Sequence, residues 1–347
     1  MQHYTLKVLE LHTETIDTVT VVFKPPSLKK INYKAGQYLT LIFRINGRKY
    51  IRPYSFSSSP LVDSTLQVTI KRVVGGIVSN HIIDKLQIGD VVEVMEPMGD
   101  FTLENEFILP TAHLVLWGAG SGITPLMSLA KYALHTNSVS HVTLVYGNRN
   151  IESVIFSDNI TDLKNQYQSI FSSWYFYTQP VVSVNDPYVI QGRIDPAKVL
   201  SVMQAEGDLN NTVHYICGPT GLKESVKTEL NGLGISSKKL FSEDFEVVRN
   251  PEEFANIITR TVSINKGTHK TDVEVVKGKS ILEAGLDALL DLSYSCQTGS
   301  CMVCKGTLLK GAIKTIGLQS KPLELGENEC LLCCSFPLTD DIEVLIE

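Results

Sequence analysis

Over the first hundred residues, apolar and polar positions alternate in short runs with turn residues between them. Thr15–Phe23 (TIDTVTVVF) alternates in part, and Tyr38–Ile45 (YLTLIFRI) is rich in β-formers. Leu66–Val73 (LQVTIKRV) alternates again, and Asp90–Val94 follows Gly89. Period-two patterning with regular turn signals predicts antiparallel strands closing into a barrel. Ser79, a good N-cap residue, marks the start of one short helix.

The pattern changes near residue 110. His113–Trp117 (HLVLW) is a continuous apolar run of the kind found in buried strands, followed by a glycine loop and then Pro125–Leu134 with helical spacing. His141–Tyr146 and Val213–Cys217 are further apolar runs. Strands alternating with helices predict a parallel α/β sheet. Glu246–Ala255 (EVVRNPEEFA) is polar and reads as a linker. Beyond it, Arg260–Ile264 and Thr271–Val276 predict a hairpin, and Ser280–Leu290 predicts a helix with Ser280 and Glu283 as its capping box. There are no internal repeats and no low-complexity segments.

Composition narrows the classes. The chain has 347 residues, 43% hydrophobic and 20% charged, with a net charge of −6. That length suits two or three domains, and the acidic balance argues against a nucleic-acid partner, which selects a basic face. No apolar run approaches the roughly 20 residues needed to span a bilayer. The segment Met1–Lys7 has no apolar signal-peptide core. A cytoplasmic protein is expected. Of seven cysteines, Cys217 stands alone, whereas Cys296, Cys301, Cys304, Cys330, Cys333 and Cys334 share the last 52 residues. In a reducing compartment such clustering points to metal rather than disulfides.

Four stretches carry candidate chemistry. Arg52-Pro53-Tyr54-Ser55 offers a guanidinium for a pyrophosphate, an aromatic face for a flat ring and a hydroxyl for a ring nitrogen. Gly75-Gly76-Ile-Val-Ser79 precedes the short helix, where glycines let a phosphate approach free N–H groups. Gly118-Ala-Gly120-Ser-Gly122-Ile-Thr124-Pro125 joins a strand to a helix, and Cys217-Gly218-Pro219 ends another strand on the same edge. Each alone is equally a turn or a packed corner.

In this order the elements resemble the ferredoxin–NADP⁺ reductase superfamily. Residues 3–105 resemble its flavin domain, with Glu96–Phe101 closing the barrel, and the Gly-x-Gly-x-x-Pro count from Gly120 resembles its nicotinamide loop. The resemblance implies that FAD is held by Arg52, Pro53, Tyr54, Ser55, Gly75, Gly76 and Ser79. Arg52 and Ser79 would contact the pyrophosphate, Tyr54 would stack on the isoalloxazine, and Ser55 would lie near its N5. It implies that Gly118, Gly120, Gly122, Thr124, Pro125, Cys217, Gly218 and Pro219 receive the nicotinamide, and it brings Phe245 weakly toward the flavin. Tyr54, Ser55 and Cys217 are the expected catalytic residues, with Cys217 acting by alignment rather than attack. Arg149 follows the second strand with no acid before Glu152, which favours NADPH over NADH.

Cys296, Cys301 and Cys304 have four and then two residues between them, and Cys333 follows after 28 more. Plant-type 2Fe–2S clusters use this spacing. A zinc ribbon built from the Cys301/Cys304 and Cys330/Cys333 pairs is the strongest competitor, and it leaves Cys296 and Cys334 unexplained. The segment 258–347 resembles a plant-type ferredoxin. Its Leu-Cys-Cys-Ser-Phe-Pro stretch places the fourth ligand at Cys333, with Cys334 where the family often has Gln and Met302 where a small residue is usual.

The expected organisation is an antiparallel β-barrel flavin domain (1–106), an α/β parallel-sheet nicotinamide domain (107–247), a linker (248–257) and an α+β, β-grasp ferredoxin domain (258–347). Reductase components of oxygenases share this order. The resemblance therefore implies NAD(P)H-dependent electron transfer through FAD and a 2Fe–2S cluster to an oxygenase, diiron or other. A stand-alone diaphorase with small-molecule or quinone acceptors, and a flavoprotein fused to a zinc module, are the alternatives. From Val262 to Glu347 the net charge is −4, which suits a basic docking patch on a partner.

Overall fold

The structure is a computed structural model, and it describes residues 2–25, 31–179, 186–207, 211–245, 250–318 and 325–346. The chain forms two compact units, one of Met1–Phe43 with Pro53–Asp244 and the other of Arg44–Arg52 with Phe245–Glu347.

The first sheet contains β1 (His3–Thr15), β2 (Thr18–Lys24), β3 (Tyr38–Ile45), β4 (Arg48–Ser55), β5 (Leu66–Lys71) and β6 (Val91–Met95), in the order β4-β3-β6-β1-β2-β5. The alternating run at 15–23 proves to straddle a turn. Thr15 ends β1, Ile16 is fully exposed, and β2 starts at Thr18. Inward-facing Leu6, Val8, Val21, Phe23, Leu39, Leu41, Val68 and Ile70 fill the interior. The barrel closes only partly. Its two edge strands meet through a Phe56–Val68 bridge and a Ser57 N–H donated to Gln67 O at 2.9 Å. The short helix α1 spans Ile77–Lys85, with Gly76 as N-cap. Ser79, expected to cap it, instead accepts the Val73 N–H through Oγ at 3.1 Å and tightens the preceding loop.

The second sheet, β7 (His113–Ala119), β8 (His141–Asn148), β9 (Phe171–Tyr177), β10 (Val189–Gln191), β11 (Thr212–Cys217) and β12 (Leu240–Glu243), is ordered β10-β9-β8-β7-β11-β12, and all its pairs are parallel. Its helices are α2 (Ile123–Thr136), α3 (Ser157–Gln166), α4 (Pro196–Glu206) and α5 (Thr220–Gly232). Alternate residues of β7 serve opposite faces. Leu114 and Leu116 join the core under α2, while Val115 and Trp117 join the one under α4 and α5. Burial on both faces explains why the strand reads as an unbroken apolar run.

Ala35, Phe101 and Leu103 pack in the same core as Leu126, Leu129 and Ala130 of α2. Ser128 Oγ donates to Ser58 O at 2.6 Å, and Tyr215 Oη donates to Thr102 O at 2.6 Å. Barrel and parallel sheet therefore share one continuous interior, so residues of the two lobes hold fixed positions.

In the second unit, β13 (Arg260–Lys266) and β14 (His269–Val275) form the expected hairpin, and α6 (Ile281–Asp287) follows. Both capping-box bonds form, with Glu283 N donating to Ser280 Oγ at 3.2 Å and Ser280 N donating to Glu283 Oε2 at 2.7 Å. Then come β15 (Lys305–Lys310), β16 (Ile313–Thr315), β17 (Glu329–Leu331), β18 (Ser335–Pro337) and β19 (Glu343–Ile346). The main sheet runs β14-β13-β19-β15-β17, with β13 and β19 parallel and the other pairs antiparallel, which is the mixed β-grasp arrangement. Part of the expected linker, 246–249, lies outside the described residues. Pro251–Phe254 forms a 3₁₀ turn, and Phe254 and Ile257 are buried with Ile316 and Phe336.

Candidate functional site

The parallel sheet reverses its strand order between β7 and β11, and the loops leaving these two strands define a crevice at the carboxyl edge. Gly118 pairs with Cys217 in register, so the glycine loop and the Cys217-Gly218-Pro219 turn leave side by side. A β carbon on Gly122 would lie 2.0 Å from Cys217 O, so only glycine fits there. Gly120 has φ +55 with open space about its α carbon. Tyr146 Oη donates to Gly120 O at 2.9 Å, and Thr124 Oγ1 donates to Ser121 O at 2.8 Å, pinning the loop. Pro125 occupies the first turn of α2, where it costs no hydrogen bond. At the carboxyl end of β8 the buried Asn148 Nδ2 has no hydrogen-bond partner. A glycine-lined cradle beside an unsatisfied buried donor fits a polar coenzyme.

Tyr54 is half-buried and Ser55 buried at the end of β4. Ser55 Oγ donates to Glu243 Oε2 at 3.3 Å. Glu243, the last residue of β12, is paired in register with Cys217. Glu243 is half-buried, and desolvation of its carboxyl, with Asp244 next to it, pushes it up to about 8 against the hydrogen bond from Ser55. Lys223 Nζ donates to Asp244 at 2.5 Å and holds that second carboxylate. Burial, with Glu243 and Asp244 nearby, pushes the Cys217 thiol well up, so it stays protonated and is no nucleophile. Of the segment Glu243-Asp244-Phe245 the sequence singles out only Phe245 and assigns Glu243 no role. Its signal was an acid ending a strand of the sheet beside the Cys-Gly-Pro strand, and strand order is not written in the sequence.

The half-buried Arg52 donates through Nη1 to Ile51 O at 2.8 Å. Pro53 next to it is also half-buried. The Val73–Ser79 loop is drawn tight enough that a β carbon on Gly76 would lie 2.8 Å from Ser79 Oγ. Gly75 has φ +72 and faces open space, so its backbone can meet a phosphate. Arg149 is exposed in the loop after β8, and among the described residues no ion pair engages its guanidinium. Phe245, 45% exposed, lies just beyond β12.

The cysteine loop after α6 carries positive φ at Gln297, Gly299 and Met302. A β carbon on Gly299 would lie 2.6 Å from Leu318 Cδ1 and 3.0 Å from Cys334 Sγ, so this tight turn needs glycine. Four thiols fall into two couples. Cys296 N donates to Cys301 Sγ at 3.5 Å, and hydrogen bonding from the Cys301 thiol pulls Cys296 down to about 4. Cys304 is likewise lowered, chiefly by its hydrogen bond from Cys333. Among the described residues no three cysteine sulfurs lie within 4.8 Å of one another. A single tetrahedral zinc needs four thiolates converged to about 3.8 Å, given Zn–S near 2.3 Å. The couples Cys296 with Cys301 and Cys304 with Cys333 suit two irons, each held by two thiolates. Cys330 is held elsewhere, bonded to Ser335 and raised to about 11 chiefly by burial. Cys334 is buried, with its Sγ 3.6 Å from Cys333 Sγ.

Models of three domain families match the chain. The oxidoreductase FAD-binding domain matches residues 5–103, the oxidoreductase NAD-binding domain 116–228 and the 2Fe-2S iron-sulfur cluster binding domain 264–338. A subunit of the 1,2-phenylacetyl-CoA epoxidase of Escherichia coli K12 is 30% identical over 98% of this chain and 97% of its own. The ferredoxin reductase component of 3-ketosteroid-9-alpha-monooxygenase from Rhodococcus rhodochrous is 29% identical over 95% and 93%. The solved structure of phthalate dioxygenase reductase superposes with a TM-score of 0.68 at 23% identity, covering 99% of this chain and 98% of that one, a likeness of fold. No helix among the described residues is long and apolar enough to cross a membrane. With flavin barrel, nicotinamide sheet and paired-thiol ferredoxin loop in one chain, the protein belongs to the ferredoxin–NADP⁺ reductase superfamily of oxidoreductases that carry a C-terminal 2Fe–2S domain.

Proposed function

We infer that this chain is the reductase component of an oxygenase system, taking electrons from NADPH and passing them through FAD and a 2Fe–2S cluster to the oxygenase. The observation that carries the reading is the pairing of four thiols as two couples in the same chain as a coenzyme crevice and a flavin barrel. When bound, the nicotinamide supplies a hydride, FAD takes two electrons and releases them singly, and the cluster carries one.

The residues divide the work by position. Gly118, Gly120 and Gly122 let the coenzyme approach the backbone, and Thr124 and Pro125 start the helix whose N–H groups face it. Arg149 takes the 2′-phosphate. Cys217, Gly218 and Pro219 form the wall against the nicotinamide, with a thiol that packs without competing chemically. Arg52, Gly75, Gly76 and Ser79 would hold the pyrophosphate, with Pro53 beside them, and Tyr54 would offer its aromatic face to the flavin ring. Ser55 presents its hydroxyl proton to the ring nitrogen. A neutral Glu243 can donate to Ser55 Oγ and free that proton to point at the ring, whereas an ionised Glu243 holds it back. Phe245, two residues beyond Glu243, would approach the flavin. Cys296 with Cys301, and Cys304 with Cys333, hold the two irons.

The partner reading rests on relatives named as parts of an epoxidase and a monooxygenase, and a diiron oxygenase is the acceptor we put first. The net charge of −4 from Val262 to Glu347 suits a basic docking face. A cytoplasmic location accords with the reduced thiols such a cluster requires. Reconstitution tests the reading. NADPH oxidation should couple to product formation with an oxygenase of this class and weaken as salt rises. Fast turnover with quinones and no coupling to any oxygenase would instead make the protein a diaphorase.

A further inference from the structure

The amino edge of the parallel sheet, opposite the coenzyme crevice, holds a second group of ligand-bearing side chains. His113 opens β7, His141 opens β8 beside it in register, and Glu206 ends α4. His113 Nε2 lies 3.7 Å and His141 Nε2 3.8 Å from the same oxygen, Glu206 Oε2. All three ligand atoms fall within 4.8 Å of one another, and among the described residues this is the one trio of His, Cys, Asp or Glu to do so. The side chains are 11%, 28% and 10% exposed respectively, so the trio is largely shielded yet open on the His141 side.

We propose that His113, His141 and Glu206 form a structural binding site for one divalent transition-metal ion, Zn²⁺ by its donor chemistry. Two imidazoles and one carboxylate form a borderline donor set that selects Zn²⁺ and its neighbours over Mg²⁺ or Ca²⁺. Tetrahedral zinc with bonds near 2.1 Å sets its ligand atoms about 3.4 Å apart. The two imidazole-to-carboxylate spacings, 3.7 and 3.8 Å, need to contract by only a few tenths of an ångström, and the two imidazole nitrogens lie within 4.8 Å of each other. The outer shell is built as well. Trp174 Nε1 donates to Glu206 Oε1 at 2.6 Å, orienting the carboxylate so that Oε2 faces the imidazoles. Thr143 Oγ1 lies 2.6 Å from Glu206 Oε2 and 2.8 Å from His113 Nε2, within reach of a fourth position. Glu206 is the last residue of α4, so the negative end of that helix adds to the field favouring a cation. The ion would tie β7, β8 and α4 together at the edge remote from catalysis. This inference stands apart from the functional reading above and survives if that reading fails.

The competing explanation is a metal-free network, in which the Thr143, Ser172 and Trp174 donors alone satisfy Glu206. Calorimetric titration of the chelator-washed holoprotein, cluster intact, with Zn²⁺ separates the two. One equivalent should bind with no loss of the cluster's visible absorption. Co²⁺ in its place should show ligand-field bands without thiolate charge transfer. His141→Gln and Glu206→Gln should each weaken binding at least ~10-fold, and Zn²⁺ should raise the Tm of the parent protein but not of His141→Gln. His141 is the more exposed ligand, so its variant carries the test if Glu206→Gln fails to fold. The proposal is overturned if the parent protein shows no saturable binding, if His141→Gln binds as tightly as the parent, or if uptake proceeds only as the cluster bleaches.

Discussion

Glu243 offers a sharp test of the catalytic arrangement. Its carboxyl is raised from an ordinary 4.5 to about 8, first by burial and then by Asp244, against the opposing hydrogen bond from Ser55. A raised acid stays neutral up to that value. About nine-tenths of the molecules are therefore neutral at pH 7, and about one-tenth at pH 9. Ionised Glu243 accepts the Ser55 proton and draws it away from the ring. The rate of flavin reduction under NADPH saturation should therefore fall roughly 10-fold between pH 7 and 9. Glu243→Gln mimics the neutral acid in shape and cannot ionise. It should keep most of the pH 7 rate and lose the alkaline limb, overtaking the parent protein near pH 9. Linkage gives an independent readout. Because the folded-state value lies above the unfolded one, this carboxyl's contribution is fully present below about 4.5 and is lost as pH rises through about 8. The parent Tm should drop between about pH 4.5 and pH 8 by more than that of Glu243→Gln. Anaerobic stopped-flow across the pH range reads the rates. Superimposable profiles for the two proteins would refute the role given to Glu243.

Three further outcomes follow from the geometry. Cys333→Ser should lose iron and acid-labile sulfide, whereas Cys330→Ser, whose thiol is bonded to Ser335 away from the couples, should keep both; iron and sulfide analysis decides. Gly122→Ala drives a β carbon to within 2.0 Å of Cys217 O, and prising these loops apart should lower kcat/KM for the coenzyme roughly 100-fold while the flavin stays bound. Arg149→Ala should raise KM for NADPH by about 10-fold or more and leave NADH nearly unchanged, since it would remove the charge-assisted contact proposed for the 2′-phosphate; equal effects in steady-state assays would count against Arg149.

Much of the architecture was legible because strong periodicity survives in the sequence. The run Tyr38–Ile45 became a strand over those same residues, and the Ser280–Glu283 box became a real cap. The apolar run at His113 lengthened only to Ala119. Misreadings arose where local signals compete. Thr15–Phe23 looked like one strand because Ile16 and Asp17 do not break the alternation, although they form the turn. Ser79 looked like a cap, but Gly76 takes that place and leaves the hydroxyl for the Val73 N–H. Phe254 and Ile257 looked like linker because their buried partners, Ile316 and Phe336, lie some sixty or more residues on. The same limit hid Glu243 and the His113–His141–Glu206 trio. Both are assembled by strand order, which brings distant sequence together and leaves no periodic trace.

The central claim is that one polypeptide accepts electrons in pairs and delivers them singly. Anaerobic titration of the purified holoprotein with NADPH, followed by visible and EPR spectra, tests it most directly. Uptake of about three electrons per chain is expected, two assigned to flavin and one to a reduced 2Fe–2S signal. Uptake that stops at two electrons, with no iron–sulfur signal in protein prepared without air, would contradict it.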